Sequence, residues 1–308
     1  MRLIYLGSPS FAAFPLEALV NAGHTVVAVV TQPDRPAGRG RALAPPPVKE
    51  AAERLGLPVI QPATLRDPAV VAQLAALQPE VGVVAAYGEI LRKNVLAIPP
   101  LGYLNIHPSL LPLHRGPTPV NGAILAGDSE TGISIMRLDP GMDSGPLLAQ
   151  AVVALPPDAR AGPLTDTLFQ LGARMLVEVL PLYVAGKVVP RPQDHSQASL
   201  THLLKKEQGL IDWSLPALVI ERMTRAYDPW PTAYTAWRGG LLKIRVAAVR
   251  EAGSGAPGTL FADGPRPLVA TGSGALELIE VQPAGKRLMA GRDWLQGARA
   301  DLGALLGA

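Results

Sequence analysis

Apolar residues in the first part of the chain recur in short, unbroken blocks. Leu3–Leu6, Val26–Thr31 and Val81–Ala86 are continuous runs, not alternating ones, which is the pattern of strands buried on both faces of a parallel sheet. Arg2–Leu6 predicts a first strand ended by Gly7. Ser10 is placed to cap a helix running to about Val20, which Asn21-Ala22-Gly23 stops. Val59–Ile60 and Tyr103–Ile106 add strands, and Val48–Leu55, Ala69–Leu77 and Val120–Ala126 read as helices between them. This alternation predicts right-handed crossovers and a Rossmann-like α/β domain with an open, mostly parallel sheet.

The rhythm changes after residue 130. Gly132–Arg137 and Leu147–Ala154 look like strands bracketing a glycine-rich turn, Asp139–Gly145, and Leu164–Val184 reads as one long helix. A polar, proline-bearing stretch follows, with Pro190, Pro192, Gln193, Asp194, His195 and Ser196, suited to a linker. Beyond it, short strands are predicted at Ala233–Trp237, Leu241–Val249, Gly258–Phe261, Leu268–Thr271 and Ala275–Val281. They are separated by Gly239-Gly240 and Gly272-Ser273-Gly274, as in a small β-barrel. The expected organisation is a catalytic domain over 1–189, a linker over 190–207 and a smaller barrel over 208–308.

Composition narrows the function. At 308 residues the chain suits two domains. With 48% hydrophobic and 17% charged residues it is globular in composition. The absence of cysteine removes disulfides, thiolate metal sites and cysteine nucleophiles. Met1–Gly7 is too short and too quickly broken for a secretion leader. No run approaches the roughly 20 uninterrupted apolar residues of a bilayer span. A cytoplasmic protein with no membrane partner is therefore expected. Net charge is +3, and all of it falls in residues 205–308, with 13 Lys/Arg against 10 Asp/Glu. A small excess of this sign is what a region meeting a phosphate backbone needs, and an ordinary solvated surface shows it too.

Three segments carry candidate chemistry. In Asn105-Ile106-His107-Pro108-Ser109-Leu110-Leu111-Pro112, Asn105 and His107 stand two apart at the end of a strand and so point the same way. They lie at the sheet edge where open α/β sheets bind ligands. Pro108 and Pro112 bend the following loop, whose peptide groups could hold the edge of a planar heterocycle. In Asp139-Pro140-Gly141-Met142-Asp143-Ser144-Gly145, two glycines flank an acid. Such an Asp can merely cap its turn, or it can orient a neighbouring imidazole. Asn, His and Asp together supply an oxyanion donor, an acid–base group and an orienting charge, with no covalent nucleophile. The third segment, Gln32–Pro47, is a long loop with Arg35, Arg39 and Arg41 against Asp34. Its arginines could close on a phosphate backbone, or simply be solvated.

Other chemistries lack their signals. Gly7-Ser8-Pro9-Ser10 has no further glycines of a dinucleotide fingerprint, and the chain contains no phosphate loop. His24, His107, His114, His195 and His202 show no metal-ligand spacing, so no metal is expected, and there is no Gly-x-Ser-x-Gly elbow.

The Asn-x-His pair, the Ser109-Leu110-Leu111-Pro112 loop and an Asp in a glycine turn 36 residues after the His together resemble the folate-dependent formyltransferase family. The resemblance implies 10-formyltetrahydrofolate as formyl donor, with Asn105, His107 and Asp143 catalytic and Ser109, Leu110, Leu111 and Pro112 against the folate. Glycinamide ribonucleotide, a sugar nucleotide, water or methionyl-tRNA are acceptors within that family. A non-catalytic folate- or RNA-binding module is the alternative outside it. Thr31–Gly40 is similar to the tRNA-clamping insertion of its tRNA-acting members, with Arg39 at the acceptor-stem position. Gly274–Leu278 and Val281–Lys286 resemble their C-terminal OB-like domain. Methionyl-tRNA is therefore the expected partner, contacted by Arg35, Arg39, Arg41 and Lys206, with the protein a monomer. Pro140, Met142 and Ser144 depart from the residues more often seen around the family's Asp.

Overall fold

The unbroken apolar runs become the centre of a parallel sheet in the computed structural model, which describes residues 1–37, 42–251 and 255–307. Strand β1 (Arg2–Gly7) is followed by helix α1 (Ala13–Asn21), β2 (Thr25–Val30), the short pair β3 (Arg35–Ala37) and β4 (Ala42–Ala44), and α2 (Pro47–Arg54). Next come β5 (Val59–Ile60), α3 (Pro68–Ala76), β6 (Val81–Ala85), α4 (Lys93–Leu96) and β7 (Tyr103–His107). After α5 (Pro119–Ala126), strands β8 (Glu130–Arg137) and β9 (Leu147–Ala154) lead into α6 (Ala161–Val184). The main sheet has the order β5-β2-β1-β6-β7-β8-β9. Its first five strands are parallel, whereas β8 and β9 run antiparallel to their neighbours.

Ser10 does not cap a helix as expected. The chain enters through a short 3-10 turn, Ser10–Ala12, with Pro9 at its cap and no side-chain capping bond. Asp67, by contrast, caps α3 by accepting from the Ala69 N–H, the ordinary function of an acid at that place. Alternation along β7 places Leu104 and Ile106 on one face and Tyr103, Asn105 and His107 on the other. Tyr103 joins Ile4, Leu6, Val84 and Leu91 in an apolar cluster. On the opposite face α6 comes so close that a Cβ on Gly172 would lie 2.6 Å from Ile106 Cγ2. Helix α6 is long and apolar enough to cross a membrane by length and composition, yet here Leu168, Phe169, Leu176 and Leu180 are buried within the protein, and Gly172 lies against the sheet.

The chain divides into two compact units: 1–119, 130–154 and 165–202 form one, and 120–129, 155–164 and 203–308 the other. In the second unit α7 (Ala217–Ala226) precedes β10 (Ala233–Trp237), β11 (Gly240–Arg250), β12 (Leu260–Asp263), β13 (Arg266–Ala270), β14 (Ala275–Pro283) and β15 (Met289–Ala290). Helix α8 (Gly291–Ala298) closes the series. The strands form an antiparallel sheet in the order β10-β11-β14-β13-β12, with β15 on β14. The segment after α8 ties its two edges together. Leu260 N–H donates to Ala304 C=O, Leu306 N–H to Gly258 C=O and Gly307 N–H to Ala236 C=O. Trp213, Ile220, Leu242, Val269, Leu276 and Trp294 fill the interior. Burying each large side chain of this kind stabilises by about 1.5–3 kcal/mol.

Candidate active site

Strand β7 carries the site because it ends beside the antiparallel β8. Asn105 pairs with Met136 and His107 with Ser134 in that ladder. Both side chains are buried, at 8% and 4% exposure. No hydrogen bond from another described residue reaches the Asn105 carboxamide, leaving two N–H donors for a ligand oxygen. His107 Nε2 lies 3.0 Å from the His114 carbonyl oxygen. A carbonyl only accepts, so Nε2 carries the hydrogen and Nδ1 is left for the other side of the ring.

That other side faces Asp143. His107 Nδ1 stands 3.6 Å from Asp143 Oδ2, too long for a direct hydrogen bond and suited to one that tightens with substrate or passes through water. The two acids of the glycine turn divide their tasks. Asp139 caps the turn, accepting from Gly141 N–H at 3.0 Å and from Ser144 Oγ at 2.8 Å. Asp143 is thereby freed to reach outward, where Oδ2 accepts from Gly116 N–H at 2.8 Å. It does so from a left-handed backbone, φ 48°, a conformation that a non-glycine residue keeps only when its surroundings hold it.

The Ser109–Pro112 loop is largely occupied with itself. Ser109 Oγ donates to Leu113 C=O at 2.7 Å, and Ser134 Oγ donates to Ser109 C=O at 2.7 Å. Leu111 N–H donates to Ser134 Oγ at 3.2 Å, while Gln150 Nε2 donates to Leu111 C=O at 2.9 Å. Ser199 N–H reaches Pro112 C=O at 3.3 Å. Few of its peptide groups remain for a heterocycle, so its contribution to a ligand lies in shape and apolar contact.

Among the residues expected to meet tRNA, Arg35 is exposed and its Nη2 donates to Gln32 Oε1 at 2.9 Å. Lys206 is exposed at the start of a 3-10 turn, Lys206–Gly209. Arg39 and Arg41 lie outside the described residues. Sequence reasoning missed Gln193, Arg115, Gly116, Ser134 and Gln150, which hold the site together. Their only sequence signal is a polar residue inside an apolar strand, as with Ser134. Among the described residues no cluster of His, Cys, Asp or Glu could hold a metal ion.

Two family models match the chain: Formyl transferase over residues 1–180 and Formyl transferase, C-terminal domain over 203–299. The chain is 69% identical over 304 residues to the methionyl-tRNA formyltransferase of Chloroflexus aurantiacus, covering 98% of each. Against the methionyl-tRNA formyltransferase of a Roseiflexus species it is 63% identical over 311 aligned positions, covering 100% of this chain and 95% of the relative. Among solved structures, an N-formyltransferase from Helicobacter canadensis, crystallised with folinic acid and dTDP-3-aminofucose, superimposes with a TM-score of 0.67. It is 15% identical, with 91% of this chain and 98% of that one covered, a likeness of fold.

Proposed function

The chain belongs to the formyl transferase family, alongside the methionyl-tRNA formyltransferases, and from that premise we propose how its residues perform the reaction. It moves the formyl group of 10-formyltetrahydrofolate to the α-amino group of methionyl-tRNA. The observation that carries the assignment of residues is the meeting of Asn105, His107 and Asp143 at one sheet edge, with Nδ1 and Oδ2 3.6 Å apart.

The lone pair of the neutral amine attacks the formyl carbon, and the carbonyl π pair moves to oxygen. Asn105 Nδ2–H hydrogen-bonds that oxyanion and the positive charge of a protonated His107 stabilises it. Asp143 takes the proton that the attacking nitrogen sheds, through water, and keeps His107 oriented. When the oxyanion pair re-forms the C=O bond, the C–N10 pair leaves with N10 of the folate, which takes up a proton. The products are a formamide and tetrahydrofolate, with no covalent enzyme intermediate. Ser109, Leu110, Leu111 and Pro112 border the folate by shape. Residues 208–308, with Lys206 and the loop residues Arg35, Arg39 and Arg41, bind the tRNA of a cytoplasmic, monomeric enzyme. The small excess of positive charge in residues 205–308 supports that polarity.

The test is formyl transfer from 10-formyltetrahydrofolate by N105A, H107A and D143A, with methionyl-tRNA and glycinamide ribonucleotide as rival acceptors. Loss of one oxyanion donor costs about 3 kcal/mol, or about a hundredfold or more in kcat. Full turnover by any of the three variants, or preference for glycinamide ribonucleotide, would refute the reading.

A further inference from the structure

Gln193 is 5% exposed in a stretch where Arg191, Pro192, Asp194, His195, Ser196 and Gln197 are all exposed. Its carboxamide gives its donors to the turn that carries Asp143 and its acceptor to Arg115. Nε2 donates to Asp143 C=O at 2.8 Å and to Gly145 C=O at 2.7 Å. Oε1 accepts from Arg115 Nε at 3.1 Å and from Arg115 Nη2 at 2.7 Å. Arg115 is itself buried, at 7% exposure, and its Nη2 lies 3.0 Å from His195 Nδ1. The residue after Arg115 completes the circuit, since Gly116 N–H donates to Asp143 Oδ2 at 2.8 Å.

We propose that Gln193 is a positioning residue for formyl transfer, setting the Asp143 carboxylate against His107 by bonding the Asp143 and Gly145 carbonyls of its turn. The inference rests on Asp143 being the carboxylate that orients His107 and takes the proton. Two arguments support it. The bonding pattern needs two donors and an acceptor in one planar group at the end of a two-methylene stem, which of the natural side chains only glutamine supplies. Asp143 also sits in a left-handed backbone, φ 48°, and Gln193 bonds its own carbonyl, the group most directly tied to that conformation. The donor comes from 50 residues further along the chain, so the turn is not self-sufficient. A misplacement of about 1 Å at a reacting group costs about a hundredfold in rate.

The experiment compares the parent with Q193M, Q193E, D143N and D143N/Q193M in kcat, KM for 10-formyltetrahydrofolate, and melting temperature. Q193M removes donors and acceptor at nearly constant volume. Q193E keeps the oxygen that Arg115 bonds but loses both donors, and it carries the test alone if Q193M does not fold. The expected result is a kcat about tenfold or more lower in each folded variant, with the folate KM within about twofold of the parent. In the D143N background Q193M should cost less than about twofold more, because the two residues act through one carboxylate. Parent-like kcat in Q193E, a loss confined to KM, or full multiplication of the two losses in the double variant would overturn the proposal. If D143N alone turns over at the parent rate, the reading of the site fails and the inference with it. If D143N is impaired while the Gln193 variants are not, only the inference fails.

Discussion

Gly145 stands where the chain leaves the Asp143 turn, and replacing it with alanine tests how tightly that turn is fixed. A Cβ added there would lie 1.8 Å from the Arg137 carbonyl oxygen, 3.0 Å from its carbon and 3.3 Å from Asp139 N. The obstacle is backbone at the end of β8, where Arg137 N–H donates to Pro146 C=O at 2.9 Å. No side chain can rotate out of the way, so the turn must open by more than an ångström to relieve the contact. Over-packing of this kind costs about 1–3 kcal/mol. For a unit of this size that is a fall in melting temperature of about 2–4 °C per kcal/mol. Out of a stability of about 5–15 kcal/mol, such a loss leaves the protein folded at assay temperature. A fall in rate must then come from displacement of Asp143, two residues away, and at about 1 Å it amounts to about a hundredfold. The assay is single-turnover formyl transfer at saturating folate, with G186A as control. Gly186 has φ 69° and nothing within 4 Å of an added Cβ. Its replacement strains the backbone by about 1–2 kcal/mol and should leave the rate alone. Parent-like kcat in G145A, or an equal loss in G186A, would refute the reasoning.

Two further outcomes follow from bonds outside the catalytic set. Ser134 is fully buried and joins Ser109 C=O, Leu111 N–H and Gln150 Nε2. S134A should destabilise by about 1–3 kcal/mol in urea unfolding and raise the folate KM as the Ser109–Pro112 loop slackens; an unchanged unfolding midpoint would contradict this. The Asp34 carboxyl is held below its ordinary value of 3.8 by hydrogen bonds from Gln61 and then Lys49, aided by the Lys49 charge. A depressed carboxylate contributes its stability fully above the ordinary value and loses it as pH falls through the folded one. The melting gap between the parent and D34N should therefore be present at neutral pH and close below 3.8; a gap that persists or widens in acid would count against the pairing.

Much of the α/β unit was legible because strands buried on both faces must be apolar throughout, as in Val81–Ala85. Asn105 and His107 were legible because a strand repeats every two residues. Asp143 was singled out from Asp139 by resemblance, but the division of their tasks was not legible. Both acids sit in one glycine turn, and the hydrogen bonds of Ser144 and Gly116 show what each one does. Gln193 was invisible for a different reason: its partners are distant in sequence and its neighbours are as polar as any loop. Helices α7 and α8 were passed over among closely spaced turn signals. Yet Ile220, Met223 and Thr224 in one and Trp294, Leu295 and Ala298 in the other carry helical spacing. The arginine loop shows the reverse case: Arg39, singled out by resemblance, and Arg41, singled out by the charge of its loop, lie outside the described residues.

The interleaving of the two units bears on any attempt to dissect the protein. Residues 120–129 and 155–164 belong with 203–308, and their bonds are specific. Asn121 Nδ2 donates to Ala226 C=O, Arg160 Nε pairs with Asp228 at 2.8 Å, and Gly162 N–H donates to Asp228 C=O at 3.1 Å. A fragment cut at residue 202 would carry Asn121 and Arg160 without Ala226 or Asp228. The complementary fragment would leave the Asp228 carboxylate facing Arg245 alone. No single scission separates the units cleanly, so a limited digest should yield halves that stay associated. During synthesis, the segments 120–129 and 155–164 must wait for some sixty or more residues of later chain before their partners exist.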